Sequence, residues 1–163
     1  KLNESLASRR DKETTKYMLF AYTKNLEECS TFVQECEQNW ATWNKNHKTT
    51  NLGLNFAILL KNTNTLIGTI ELFILDTPDR AELGWMLNKN FQNQGYASEA
   101  AFALLDFAKS LGIKTFTAHC DKRNTPSFKL MKKLGLKLIS DDGDRIYPKT
   151  GEIAKEICCK MEL

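Results

Sequence analysis

Apolar residues recur at Leu26, Cys29, Phe32, Val33, Cys36, Trp40 and Trp43, the three-or-four spacing of an amphipathic helix. Asn25, with Glu28 three positions later, supplies a cap for its start. The tract EQNWATWNKNHKTTN then ends it in a polar loop. LNFAILL (Leu54 to Leu60), TLIGTIELFIL (Thr65 to Leu75) and RAELGWML (Arg80 to Leu87) read as consecutive strands, and the short links KNTN and DTPD between them predict an antiparallel meander. From Ala97 to Leu111 the period is helical again, with Ala101, Leu104, Leu105, Ala108 and Leu111 on one side and Gly112 as the stop. TFTAHC (Thr115 to Cys120) alternates as a strand does. A helix from Thr125 to Leu134 starts beside Pro126 and stops at Gly135, and strands follow at Leu136 to Ser140 and Ile153 to Leu163. The residues before Lys16 are charged and weakly periodic. The order predicts a single mixed α/β (α+β) domain spanning residues 1–163.

Composition narrows the class without changing this picture. The 163 residues are 42% hydrophobic and 26% charged, and 23 basic against 20 acidic residues leave a net charge of +3 with no dense basic block. No nucleic acid partner is indicated. No stretch is long and apolar enough to span a bilayer, and the start KLNESLASRRDKE lacks a signal-peptide core, so no membrane is expected and the chain reads as cytoplasmic. The five cysteines include no C-x-x-C spacing. They read as reduced, mostly buried thiols, with no disulfide framework and no metal site.

The candidate chemistry lies in FQNQGYASEA, Phe91 to Ala100, between the third strand and the central helix. The first N–H groups of a helix lack internal partners and carry the positive end of its dipole, so they can hold an anion. Gly95 lets the backbone approach a ligand, and Ala97 keeps the first turn uncluttered. By itself the stretch could equally be a turn and a helix start. Neither the three glycines of a dinucleotide-binding fold nor the Gly-Lys-Ser/Thr of a P-loop is present.

Gln92-Asn93-Gln94-Gly95-Tyr96-Ala97 resembles the Gln/Arg-x-x-Gly-x-Gly/Ala signature of the GCN5-related N-acetyltransferases. AELGWMLNKNFQNQGYASEA and CDKRNTPSFKLMKKLGL are similar to the strand, loop and helix, and to the Asn-x-x-Ser turn, of that family's ribosomal-protein N-acetyltransferase branch; LIGTIEL fits its second core strand. The resemblance implies a mostly antiparallel sheet, flanked by helices and splayed at a cleft for acetyl-coenzyme A (acetyl-CoA). It implies transfer of the acetyl group by direct attack of a primary amine, a protein N-terminus or a small molecule such as a polyamine, amino acid or antibiotic. A homodimer stays open.

The resemblance also assigns residues. Backbone at Gln92, Asn93, Gln94, Gly95, Tyr96, Ala97 and Ser98 would hold the pyrophosphate. Main chain at Met86 and Leu87 would pair with the pantetheine arm, and the Asn124 amide would lie against it. Glu82 would be the general base and Ser127 the group that protonates the leaving thiolate. Each has a plainer reading: a strand carboxylate for Glu82, helix caps for Asn124 and Ser127, packing for Trp85 and Tyr96. His119, opposite in face to Phe116, Ala118 and Cys120, could serve as base or be an ordinary strand residue. Two departures stand out. No R-L-x-L-R strand precedes the first helix, so Lys1 is expected to lie inside that helix. Met131 occupies the place of a tyrosine that donates a proton in many relatives, which leaves a non-catalytic acyl-CoA-binding module as the second reading.

Overall fold

The computed structural model describes residues 1–20 and 23–163. Its elements are α1 (Leu2–Arg10), α2 (Leu26–Lys45), β1 (Leu52–Leu59), β2 (Leu66–Ile74), β3 (Arg80–Leu87), a 3-10 turn at Lys89–Phe91, α3 (Tyr96–Ser110), β4 (Thr115–Asp121), α4 (Thr125–Lys133), β5 (Lys137–Ile146) and β6 (Ile153–Glu162). The strands form one sheet in the order β1-β2-β3-β4-β6-β5. All neighbours are antiparallel except β3 and β4. The helical crossover through α3 places these two side by side, as parallel strands require.

Alternation along the strands decides the layers. Leu72, Leu83, Phe116, Ala118 and Cys159 point into one core with Ala101, Leu104, Leu105 and Ala108 of α3 and Leu130 and Met131 of α4. Met131 is fully buried there. On the β1 side, α2 docks through hydrogen bonds from Asn39 Nδ2 to Gly53 O (3.1 Å) and from Trp40 Nε1 to Asn55 O (3.0 Å). The Trp40 ring meets Phe56 edge-on at 5.0 Å.

The start is helical, as expected of Lys1, but the helix is a separate one ahead of α2: Lys1 caps α1 through its carbonyl, which accepts from Ser5 N at 2.9 Å. Its buried residues are Ser5, Ser8 and Arg9, so the covered face carries no apolar period to read. The Arg9 guanidinium lies 4.2 Å over Phe20 and 4.0 Å over Phe32, and its Nε donates to Thr23. Strand β5 runs through the polar DDGD tract to Ile146, with register shifts between Leu138 and Ser140 and between Ser140 and Gly143. Pairing with β6 overrides the low strand propensity of those residues.

Candidate functional site

The parallel pairing of β3 and β4 covers only Arg80 with Thr115, Ala81 with Phe116 and Glu82 with Thr117. Beyond Glu82 the strands diverge, and among the described residues the β4-facing edge of β3 from Leu83 to Leu87 has no strand partner. Glu82 therefore sits at the fork of the sheet. Its Oε1 lies 3.3 Å from His119 Nδ1 on β4. Both side chains are part-exposed, on the face away from α3 and α4. The hydrogen bond to Glu82 raises the His119 pKa above its ordinary value; burial opposes this, and Glu156 adds to it while Arg145 subtracts. Glu71 lies across from Gly84 in the β2–β3 register and accepts from Asn55 Nδ2 at 3.0 Å. Burial pushes this carboxyl above the usual range, the Asn55 bond opposes it, and the Glu82 charge reinforces it. Asn55, Glu71, Glu82 and His119 thus bring a group of polar side chains to the sheet near its fork.

Helix α3 opens with Gly95 at its N-cap, in the left-handed region (φ 88°), and no side chain caps it. The first internal bond is Glu99 N to Gly95 O at 3.0 Å, so the N–H groups of Tyr96, Ala97 and Ser98 precede the helical ladder. A Cβ on Gly95 would meet nothing within 4 Å. By contrast α2 and α4 are capped by Asn25 and Asn124. The loop before α3 is braced from behind: Gln92 Nε2 donates to Leu87 O (2.9 Å), Gln94 Nε2 to Asn90 O (3.1 Å), and Asn93 takes φ 61°.

A cleft of 380 Å³ lies between these parts, bounded by Trp85, Met86 and Leu87 of β3, Gln92, Asn93 and Ala97 of the loop and α3, and Asn124, Ser127 and Leu130 of the α4 side. Gln94, Gly95 and Ser98 are not among its lining residues, and the Tyr96 side chain turns to a separate groove beside β1. Asn124 Oδ1 accepts from Ser127 N at 3.3 Å, which is the cap of α4; its Nδ2 end is not needed for that bond. Ser127 is 9% exposed, and its Oγ accepts from Trp85 Nε1 at 3.1 Å. The uncapped helix start and the open space before Gly95 suit a phosphate group. The unpaired strand edge suits a chain bearing amides.

The family profile described as Acetyltransferase (GNAT) domain matches residues 2–137. The chain belongs to the GNAT acetyltransferase family. An uncharacterized N-acetyltransferase of Bacillus subtilis (strain 168), YnaD, is 39% identical over 83 residues, which is 50% of this chain and 49% of the relative. That alignment thus spans about half the length of the curated relative. A GNAT-family acetyltransferase structure from Bacillus anthracis superposes with TM-score 0.78 at 27% identity, covering 99% of this chain and 88% of that one. The microcin C7 self-immunity acetyltransferase MccE, solved with acetyl-CoA and AMP, shares the fold at TM-score 0.79 and 21% identity, with 99% and 87% covered. The six-stranded mixed sheet with flanking helices is the GNAT fold.

Three features of the site were not legible in the sequence. The Glu82–His119 pair depends on β3 and β4 being neighbours. Trp85 reaches Ser127 across the fork. The third is the outer wall of the cleft, formed by Glu13, Thr14, Lys16, Tyr17 and Met18. This segment is pinned by Lys89 Nζ to Asp11 (2.7 Å), Lys89 N to Thr14 Oγ1 (3.1 Å), Arg145 Nη2 to Tyr17 O (2.9 Å) and Lys149 Nζ to Thr15 O (2.8 Å). No periodicity marks it, because each tie joins residues distant in the chain.

Proposed function

We propose that the chain is an N-acetyltransferase that moves the acetyl group of acetyl-CoA to a primary amine by direct attack, and that the amine is a protein N-terminus. One observation carries this reading: a cleft lined by Met86, Leu87, Ala97 and Asn124 lies between the unpaired edge of β3 and the uncapped first turn of α3, and a carboxylate–imidazole pair stands on the other face of the sheet where β3 and β4 part. Acetyl-CoA supplies the activated acyl group as a thioester. The N–H groups of residues 95–98 and the loop Gln92 to Gln94 hold its pyrophosphate. Met86 and Leu87 main chain, with the Asn124 amide, align its pantetheine arm, and a main-chain N–H of β3 polarises the acetyl carbonyl.

The amine must lose a proton before it attacks. An α-amino group titrates near 8 and a lysine near 10.4, so a modest base suffices for the former. Glu82 takes this proton through water, with His119 as its hydrogen-bonded partner. Four of the cysteines are held away from the thiolate that a nucleophile needs: Cys36 and Cys120 are pushed up to about 11 by burial, and Cys158 and Cys159 are raised by the same cause. The N-terminal acceptor rests on the likeness of AELGWMLNKNFQNQGYASEA and CDKRNTPSFKLMKKLGL to the ribosomal-protein branch. The test is calorimetric titration with acetyl-CoA, then thiol release with N-terminal peptides, polyamines, amino acids and aminoglycosides. Release with peptides alone supports the reading; release only with a small amine moves the acceptor class. Binding without release from any amine favours the acyl-CoA-binding module.

A further inference from the structure

Trp85 makes a hydrogen bond with a built-in direction. The indole N–H donates and has no lone pair to accept with, whereas a serine hydroxyl carries one hydrogen and two acceptor sites. At 3.1 Å, Trp85 Nε1 must therefore be the donor and Ser127 Oγ the acceptor. The hydroxyl hydrogen then points away from the indole. Capping of the helix does not call on this hydroxyl, because Asn124 Oδ1 is the cap and accepts from the Ser127 N–H at 3.3 Å. Its other close polar neighbour is Cys120, whose thiol burial pushes up to about 11 in spite of the Ser127 contact. A neutral thiol is a weak acceptor. The hydroxyl hydrogen can instead turn into the 380 Å³ cleft, which both Trp85 and Ser127 line.

We infer that Trp85 is a positioning residue: its indole N–H locks the Ser127 hydroxyl so that the hydroxyl's hydrogen faces the sulfur of the departing thiol. This rests on the transferase reading above and assigns the proton donor that Met131, sealed in the core, does not supply. The step balances. The amine nitrogen forms the new C–N bond while the C–S bond breaks and leaves its electron pair on sulfur. Ser127 passes its hydroxyl hydrogen to that sulfur and recovers one from solvent, while Glu82, on the other face of the sheet, gives the proton collected from the amine back to solvent. A donor fixed before the reaction need not be reorganised during it.

Two kinds of measurement test this. In the ligand-free protein, the Trp85 indole N–H resonance, assigned by its loss in Trp85→Phe, should move and exchange faster with water in Ser127→Ala. An unmoved resonance overturns the inference whether or not the protein turns over. In kinetics, Ser127→Ala should lower kcat roughly 100-fold, the lower end for one acid–base group. Trp85→Phe, which keeps a ring in the same packing, should lower kcat about tenfold with little change in KM for acetyl-CoA. The double variant should match Ser127→Ala, because the indole acts only through the serine. Both deficits should shrink with an acetyl thioester of a more acidic thiol, which needs no proton to leave; a packing defect would not respond to the leaving group. Additive losses, or Trp85→Phe at the parent rate in an active preparation, overturn the inference. Absence of thiol release by the parent chain with every amine would instead defeat the transferase reading, leaving the resonance test to decide the hydrogen bond.

Discussion

Replacing Gly95 with Trp separates folding from ligand binding. Gly95 holds φ 88°, and a Cβ there has nothing within 4 Å. The substitution thus meets no protein atom, and its folding cost is the left-handed strain of a side-chain-bearing residue, about 1–2 kcal/mol. Against a typical domain stability of roughly 5–15 kcal/mol, the variant should remain folded. The indole, however, fills the space in front of the free N–H groups of Tyr96, Ala97 and Ser98. Losing two charge-assisted hydrogen bonds to phosphate, at about 1.5–3 kcal/mol each, removes roughly 3–6 kcal/mol. That corresponds to a rise in Kd for acetyl-CoA of roughly 10²- to 10⁴-fold. Gly95→Ala serves as the control: it carries the same strain without the bulk and should weaken binding far less. Circular dichroism checks the fold and calorimetry reads the affinity. A folded Gly95→Trp variant with the parent Kd would refute the cradle and leave the stretch as a turn and a helix.

The other predictions concern protons. Glu82→Gln should lower kcat while leaving acetyl-CoA affinity nearly intact. Because the Glu82 hydrogen bond raises the His119 pKa, the acid limb of the pH–rate profile should also move to lower pH; a profile that coincides with the parent's removes Glu82 from the role of base. Asp121 is fully buried, and burial alone would raise its carboxyl, but bonds from Arg123 and from Tyr147 Oη (2.7 Å) outweigh this and hold it at about 2. Its folded pKa lies below the ordinary 3.8, so its stabilisation is present above that value and is lost as pH falls toward about 2. The interval, at about 1.36 kcal/mol per pH unit, is worth roughly 2 kcal/mol. Asp121→Asn should therefore lower thermal stability at pH 7 and flatten the decline of Tm between pH 4 and 2, as read by calorimetry; an equally steep decline would show that other carboxylates govern it.

Local order was written in the sequence. The strand-like runs TLIGTIELFIL and RAELGWML between short polar links, the helical period from Ala97 to Leu111, and the stops at Gly112 and Gly135 set elements whose bounds the structure matches within a few residues. The stretch QNQGYA likewise located the start of α3, because a bare helix N-terminus is a property of neighbouring residues. Tertiary structure decided the rest. Glu82 meets His119 only because a parallel crossover sets β3 beside β4. Trp85 meets Ser127, 42 residues away, only because the strands part there. The covered face of α1 is Ser5, Ser8 and Arg9, held by long-range polar bonds and ring stacking that leave no hydrophobic period. Periodicity reports which way a side chain faces its own element. Which side chains come together depends on the order in which elements pack, and that order is fixed by burial of the shared core.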